Sequence, residues 1–312
     1  MIGIWRSGAK KNNSEKATLK EIVNISKKIQ KIFPNSNPIL VNSGRSSIYL
    51  CLKAQKSKRE NLISYSPYSS ACVLKSISEI ASPIPSNQIL KNKIYSQIVY
   101  HQWGFAKKTK YNSKIIEDSI DSFFLNEKGL FINNSDYEII SLSKLFGLSS
   151  GAIIFCKNKN LKEKIIDILI DENFSEDARI IYKKENPIPS YYSNLDLNNP
   201  WITKNLINET EKILFNYKKI SELKIYKNKL FNKFIPKKLL IETNRLPTII
   251  PLIINDKKLK AIKNIAVFKS NCLHFNFSNL YSEWNLKKVF PLPLHEEIKF
   301  SNLKKILNIL EK

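Results

Sequence analysis

The sequence has little glycine, histidine, cysteine or methionine: 7, 3, 4 and 1 residues in 312. The four cysteines (Cys51, Cys72, Cys156, Cys272) stand far apart with no Cys-x-x-Cys pair. With three histidines available, neither a zinc site nor a disulfide framework is encoded, and reduced, mostly buried thiols are expected. No apolar run approaches the roughly 20 residues that span a bilayer. The opening stretch MIGIWRSGAKKNNSEK lacks the apolar segment and small-residue cleavage site of a signal peptide. A cytoplasmic protein with no membrane association is the expectation. Acid is scarce beside base, leaving a formal charge of +24. Such a charge suits nucleic acid through counterion release, but only five of the 51 basic residues are arginine (Arg6, Arg45, Arg59, Arg179, Arg245). Arginine is the residue that base edges and bidentate phosphate contacts favour. The lysines run along the whole chain beside abundant Ile and Asn, the mixture an AT-rich genome yields without selection for DNA binding. No nucleic-acid partner is expected, whereas a field that draws in small anionic substrates is.

What is present is material for a large core, with 43% apolar and 11% aromatic residues. Helical spacing over 15 to 33 is broken by Pro34 and Pro38 before the strand Ile39-Leu40-Val41, and Ser43-Gly44-Arg45-Ser46-Ser47 then opens a helix. Further β-branched runs predict strands at 62 to 65, 95 to 100, 114 to 118, 137 to 142 and 151 to 156, with a helix at 161 to 170. This alternation reads as α/β with a mostly parallel, buried central sheet. A long helical stretch from Trp201 to Leu230, short runs at 248 to 254 and 273 to 277, and a final helix from about Ser301 read as a smaller C-terminal α+β domain. The expected division is 1–200 and 201–312.

Four of the few glycines, Gly44, Gly104, Gly147 and Gly151, fall in segments that read as site-forming, where positive φ or close backbone approach is needed. Gly44 sits at a helix entry, where free N–H groups and the macrodipole can hold a phosphate; an ordinary cap by Ser43 or Ser46 is the alternative. Asp118 closes an apolar strand, the place where open α/β sheets put ligand contacts. Lys144 follows twenty-six positions later, in SLSKLFGLSSGAIIF, flanked by Ser141 and Ser143 and with few other charges nearby. A lysine that can form a Schiff base, together with an acid that keeps a pyridine nitrogen protonated, is the pair that pyridoxal 5'-phosphate chemistry requires.

Six segments in order, VNSGRSSIYLCL, ISYSPYSSACVLKSI, YHQWGF, IIEDSIDSFF, SLSKLFGLSSGAII and PLPLHEEI, are similar to those of the DegT/StrS sugar-nucleotide aminotransferases, a group of fold type I pyridoxal phosphate enzymes. The resemblance runs over most of the chain. It implies a pyridoxal phosphate-dependent aminotransferase working in polysaccharide or glycan biosynthesis. An amino group, taken from glutamate, would pass to a keto sugar nucleotide at active sites shared in a homodimer. Lys144 would then be the catalytic lysine and Asp118 the partner of the pyridine nitrogen. Gly44, Arg45, Ser46 and Ser141 would hold the phosphate. His101 would belong to a structural element near the site, as a packed core histidine. Tyr68 is the nearest aromatic that could stack on the ring, although the family's stacking position aligns with Ser70. An asparagine reaching in from the second subunit would be Asn194 or Asn199.

The sequence departs from that family at Asp121, where glutamine is usual three residues after the aspartate. A carboxylate there would repel the phenolic oxygen of the cofactor, so Asp121 must point away, be protonated, or mark an altered activity. The spacing Ser-x-Ser-Lys is short, Ser149-Ser150-Gly151 replaces the usual glycine pair, and the chain is shorter than most relatives. A different pyridoxal phosphate reaction, and a non-catalytic homologue with a binding or regulatory role, are the alternatives.

Overall fold

A computed structural model describes residues 3–5, 15–88, 94–111, 113–170, 202–239, 244–266, 268 and 271–312. Helix α1 (Leu19–Ile32) starts where Thr18 and Glu21 cap it reciprocally. Glu21 N–H donates to Thr18 Oγ1 at 3.3 Å, and Thr18 N–H donates to Glu21 Oε2 at 2.7 Å. Its buried Ile22, Ile25 and Ile29, three and four apart, form one apolar face. The chain continues through β1 (Asn37–Val41), α2 (Gly44–Ala54), β2 (Leu62–Tyr65), α3 (Ala71–Ser78), β3 (Ser82–Pro85), β4 (Ile94–Tyr100), β5 (Lys114–Asp118), β6 (Ser122–Phe124), β7 (Tyr137–Ser141), α4 (Leu142–Phe146) and β8 (Ala152–Cys156), then a helix α5 over 159–170.

These strands, apart from β6, form one seven-stranded sheet in the order β1-β8-β7-β5-β4-β2-β3. Neighbours from β7 to β3 pair in parallel, and β8 alone runs antiparallel to both β7 and β1. The mostly parallel α/β sheet read from the sequence is the observed one. Because side chains alternate along a strand, Ile39, Val41, Ile139 and Ile154 pack in one core with residues of α2, α3 and α5. Leu40, Ile140, Ile153 and Phe155 pack in the opposite core with Ile25 and Ile29 of α1. Burial on both faces is why these strands read as continuous apolar runs. Each such Leu, Ile or Phe contributes roughly 1.5–3 kcal/mol.

The second half comprises α6 (Lys204–Phe215), α7 (Tyr217–Phe231), β9 (Arg245–Pro247), β10 (Ile249–Leu252), α8 (Asp256–Ala266), β11 (Leu273–Asn276), β12 (Leu286–Pro293) and α9 (Phe300–Glu311). An antiparallel sheet β10-β12-β11 packs with α7, α8 and α9 in its own core, and β9 pairs antiparallel with β6. The long helical stretch expected from Trp201 to Leu230 is two helices. Asn216 ends the first by turning its Nδ2 back onto Lys212 O at 2.9 Å, the local competition that disfavours Asn inside helices. Strand β12 escapes the sequence reading because of its prolines. Pro291 is tolerated because β11 pairs with β12 only over Leu286–Val289. The expected division after residue 200 falls outside the described residues. Among those described, no helix is long and apolar enough to cross a membrane.

Candidate active site

Strands β1, β5 and β7 end along one edge of the sheet, and a cavity of about 220 Å³ opens there, lined by Ser43, Gly44, Arg45, Asp118, Ser141, Ser143 and Lys144 among others. Larger depressions, about 460 Å³ beside Phe215 and about 480 Å³ beside Lys263, lie away from these strand ends. The C-terminal edge of a parallel sheet is where backbone groups and strand-end side chains point outward together. Gly44, Arg45, Asp118, Ser141 and Lys144, separated in sequence, are therefore neighbours in space.

Asp118 is almost fully buried. Its Oδ1 accepts the Ile120 N–H at 3.4 Å, whereas Oδ2 is buried without a partner among the described residues. Burial pushes the carboxyl up to about 7; the Lys144 charge works against that shift and the Asp121 charge with it. A lone acid oxygen of this kind, turned to a cavity, is an acceptor awaiting a donor.

Lys144 owes its position to Ser141. The strand stops there, one residue earlier than the apolar pattern suggests, because Ser141 caps the single-turn helix α4 by accepting the Lys144 N–H at 3.4 Å. Gly147 closes that turn with φ +70°, in the left-handed region that glycine adopts without strain, donating its N–H to Ser143 O at 2.9 Å. The Lys144 side chain is 28% exposed, and its Nζ lies 3.2 Å from Asp121 Oδ1 and 4.5 Å from the ring of Trp5. Asp121 thus does not point away from the site. It faces the lysine, at a distance set by the turn between β5 and β6. Trp5, 139 positions from Lys144, carries no local sequence signal.

The other expected residues divide. Ser43 caps α2 and Ser46 completes the reciprocal cap: Ser46 N–H donates to Ser43 Oγ at 3.2 Å and Ser43 N–H to Ser46 Oγ at 3.0 Å. Ser46 is fully buried and lies outside the cavity lining, so its hydroxyl serves the helix. Gly44 and Arg45 remain at the helix opening, where no preceding turn supplies acceptors for their N–H groups. Ile120 Cγ2 would come within 3.2 Å of a side chain at Gly44. Ser141 and Ser143 present hydroxyls 3.0 Å apart. Tyr68 turns from the cavity: its hydroxyl accepts from Asn276 Nδ2 at 3.3 Å and its ring lies 6.1 Å from that of Tyr100. Ser70, Cys72 and Val73 form the wall in its place. Asn194 and Asn199 lie outside the described residues.

His101 is a buried structural residue. Nδ1 accepts the Lys107 N–H at 2.9 Å, which places the ring proton on Nε2, where it is donated to Glu117 Oε2 at 2.8 Å. Burial lowers its pKa to about 4, so the ring is neutral. His101, Glu117 and Glu138 gather ligand atoms within 4.8 Å, but donors already fill them. Glu117 receives Asn133 N–H and Ser135 Oγ, Glu138 receives Ser119 Oγ and Phe131 N–H, and Arg245 bonds Glu138 and lies 3.8 Å from Glu117. The scarcity of arginine was the available signal: this chain uses Arg245 where a buried fork of donors is required. Arg245→Met is expected to destabilise the fold by about 3–5 kcal/mol, because it leaves buried carboxylates uncompensated. Denaturant unfolding measures this, and a loss below about 1 kcal/mol would contradict it.

A sequence family described as "Putative PLP-dependent aminotransferase" matches residues 25–311. Among solved structures, the chain is similar to an aminotransferase from Psychrobacter cryohalolentis, at 11% identity over 94% of this chain and 90% of that one, with a TM-score of 0.61. It is also similar to a DegT DnrJ EryC1 StrS aminotransferase from Brucella abortus (12%, 95% and 91%, 0.58). Helicobacter pylori PseC, an aminotransferase involved in the biosynthesis of pseudoaminic acid, is a third (13%, 96% and 92%, 0.57). The sequence has no match among curated proteins.

Proposed function

The chain belongs to the PLP-dependent aminotransferase family, and from that premise we propose that it is a sugar aminotransferase of the DegT/StrS type, moving an amino group from glutamate to a keto sugar nucleotide. The observation that carries the reading at the site is the unpartnered Asp118 Oδ2, buried at the edge of a cavity that also holds Lys144 and the opening of α2. These residues fit pyridoxal 5'-phosphate, the cofactor of the family. A protonated ring nitrogen would satisfy Oδ2, and the N–H groups of Gly44 and Arg45 with the Ser141 hydroxyl suit a phosphate. The like fold of PseC, an aminotransferase involved in the biosynthesis of pseudoaminic acid, supports the choice of acceptor.

Bound pyridoxal phosphate supplies an aldehyde that condenses with amines and a ring that accepts electrons. Asp118, as the anion, would hold a proton at the ring nitrogen; for a unit charge pair about 4 Å apart at an effective dielectric near 20 the attraction is of order 4 kcal/mol. Lys144 would hold the group through Nζ, and its amine would be placed to move a proton to and from the substrate carbon. Gly44 and Arg45 orient the phosphate at the positive end of α2, a contribution of roughly 0.3–2 kcal/mol from the helix alone. Ile120 and Val73 border the cavity and exclude water from its apolar side. Ser46 and Tyr68 drop out of this set for the reasons above. A homodimer in the cytoplasm, with the second subunit completing the site, belongs to the same proposal.

The test begins with purified protein and pyridoxal phosphate. A violet absorption band should form, glutamate should convert it to a near-ultraviolet band with release of 2-oxoglutarate, and a keto sugar nucleotide should restore it. A band that glutamate leaves unchanged would favour a different pyridoxal phosphate reaction, the alternative to which Asp121 beside Lys144 points. No band at all would remove both readings.

A further inference from the structure

Asp121 is fully buried, and its two carboxylate oxygens have different tasks. Oδ2 accepts the Tyr100 hydroxyl and the Trp103 N–H at 3.4 Å. Oδ1 faces Lys144 Nζ at 3.2 Å, its one partner among the described residues. Thr248 Oγ1 donates to the Asp121 carbonyl at 2.8 Å and secures the backbone. Donors from β4, from the turn after it and from α4 converge on one carboxylate. The side chain cannot swing away from Lys144 without giving up the Tyr100 bond. A neutral amide at this position could be held by the same donors on one oxygen, but would offer the lysine nitrogen no charge.

Resting on the cofactor reading above, we propose that Asp121 is a proton-holding residue of the reaction centre: its Oδ1 shares the proton of the Lys144 nitrogen and keeps that nitrogen protonated while it is linked to the cofactor. No bond between heavy atoms changes; one proton stays between nitrogen and oxygen. The alkaline limit of the protonated, violet-absorbing form is thereby set by this chain's departure at position 121. Among the described residues, the other charged or titratable groups at the cavity are Asp118 from β5, Arg45 from the start of α2 and Cys72 from α3. Tyr100 stands behind Asp121, and the Trp5 ring covers the lysine from the N-terminal segment. All of them remain when residue 121 alone is changed, and removal of the Asp121 charge draws Asp118 downward, away from the alkaline window.

The experiment is an absorbance titration of the cofactor-loaded protein from neutral to alkaline pH, for the wild type, Asp121→Asn and Asp121→Gln. The violet band should give way at a pH about 1–3 units lower in both variants, the size expected when an opposite charge at this range is lost. Circular dichroism establishes folding, and Asp121→Gln serves if Asp121→Asn does not fold. A midpoint within about 0.3 units of the wild type, with the band intact, would overturn the proposal while leaving the cofactor reading in place. Absence of a band in the wild type would overturn both.

Discussion

Lys144→Ala is expected to abolish the violet band of the loaded protein and to lower transamination by at least about 10⁴-fold, since one change removes both the covalent anchor and the proton carrier. The fold should persist, because the cap of α4 uses the backbone N–H of residue 144 and not its side chain. The variant does leave Asp121 without its cation, with only Tyr100 and Trp103 as donors to its side-chain oxygens among the described residues. A stability loss of about 1–3 kcal/mol is therefore expected, smaller than for a fully buried pair, because the lysine is partly solvated. Two measurements check this together: the visible spectrum after adding pyridoxal phosphate, and the rate of glutamate-driven conversion. Partial recovery with a small primary amine would identify the lost group as the amine itself. A variant retaining a tenth of the wild-type rate would exclude Lys144 from the chemistry.

Asp118→Asn is expected to separate function from stability. In the absence of the cofactor, the folded acid binds its proton up to about pH 7, while the unfolded chain releases it near the ordinary aspartate value of 3.8. The folded state thus holds more protons between these limits, so stability is lost as pH rises from about 4 to about 7 and does not return above it. A neutral amide avoids that loss. At pH 8 the cofactor-free variant should be more stable than the wild type by about 1–3 kcal/mol, once the cost of the amide's own unpaired N–H is subtracted from about 1.4 kcal/mol per pKa unit. At pH 4 the advantage should vanish. With the cofactor the order reverses: the amide cannot hold the ring nitrogen protonated, and transamination should fall by about 10²–10⁴-fold. Thermal melts at the two pH values, with and without pyridoxal phosphate, decide it. A cofactor-free variant less stable than the wild type at pH 8 would show that Asp118 already has a partner.

Gly44, Asp118, Ser141 and Lys144 were legible in the sequence for one reason: each lies within three residues of the end of a strand whose apolar run is itself plain. Local pattern makes the strands, and parallel pairing carries their ends to one edge, so the meeting of these four residues at one cavity follows from one-dimensional information. The inward direction of Asp121 was not legible. It depends on Tyr100 and Trp103, 21 and 18 positions away across strand β5, arriving to hold one oxygen while the other meets Lys144. Nor was the loss of Ser46 to the helix cap, since a hydroxyl at a helix start suits a phosphate and a backbone N–H equally well. Tyr68 was misplaced because an aromatic near a site in sequence need not face it; Asn276, from the second half of the chain, draws its hydroxyl elsewhere.

The sequence alone determined six of the seven strands of the sheet, its mostly parallel sense and the strand ends that carry an acid, a lysine and a helix opening, because these depend on side-chain period and on residues a few positions apart; the edge strand β3, with two prolines in four residues, was not legible. Tertiary structure decided the charge partners. Trp5, Asp121 and Arg245 reach their places through packing between segments tens to hundreds of residues apart, and a buried charge takes its meaning from what packing brings within 4 Å of it.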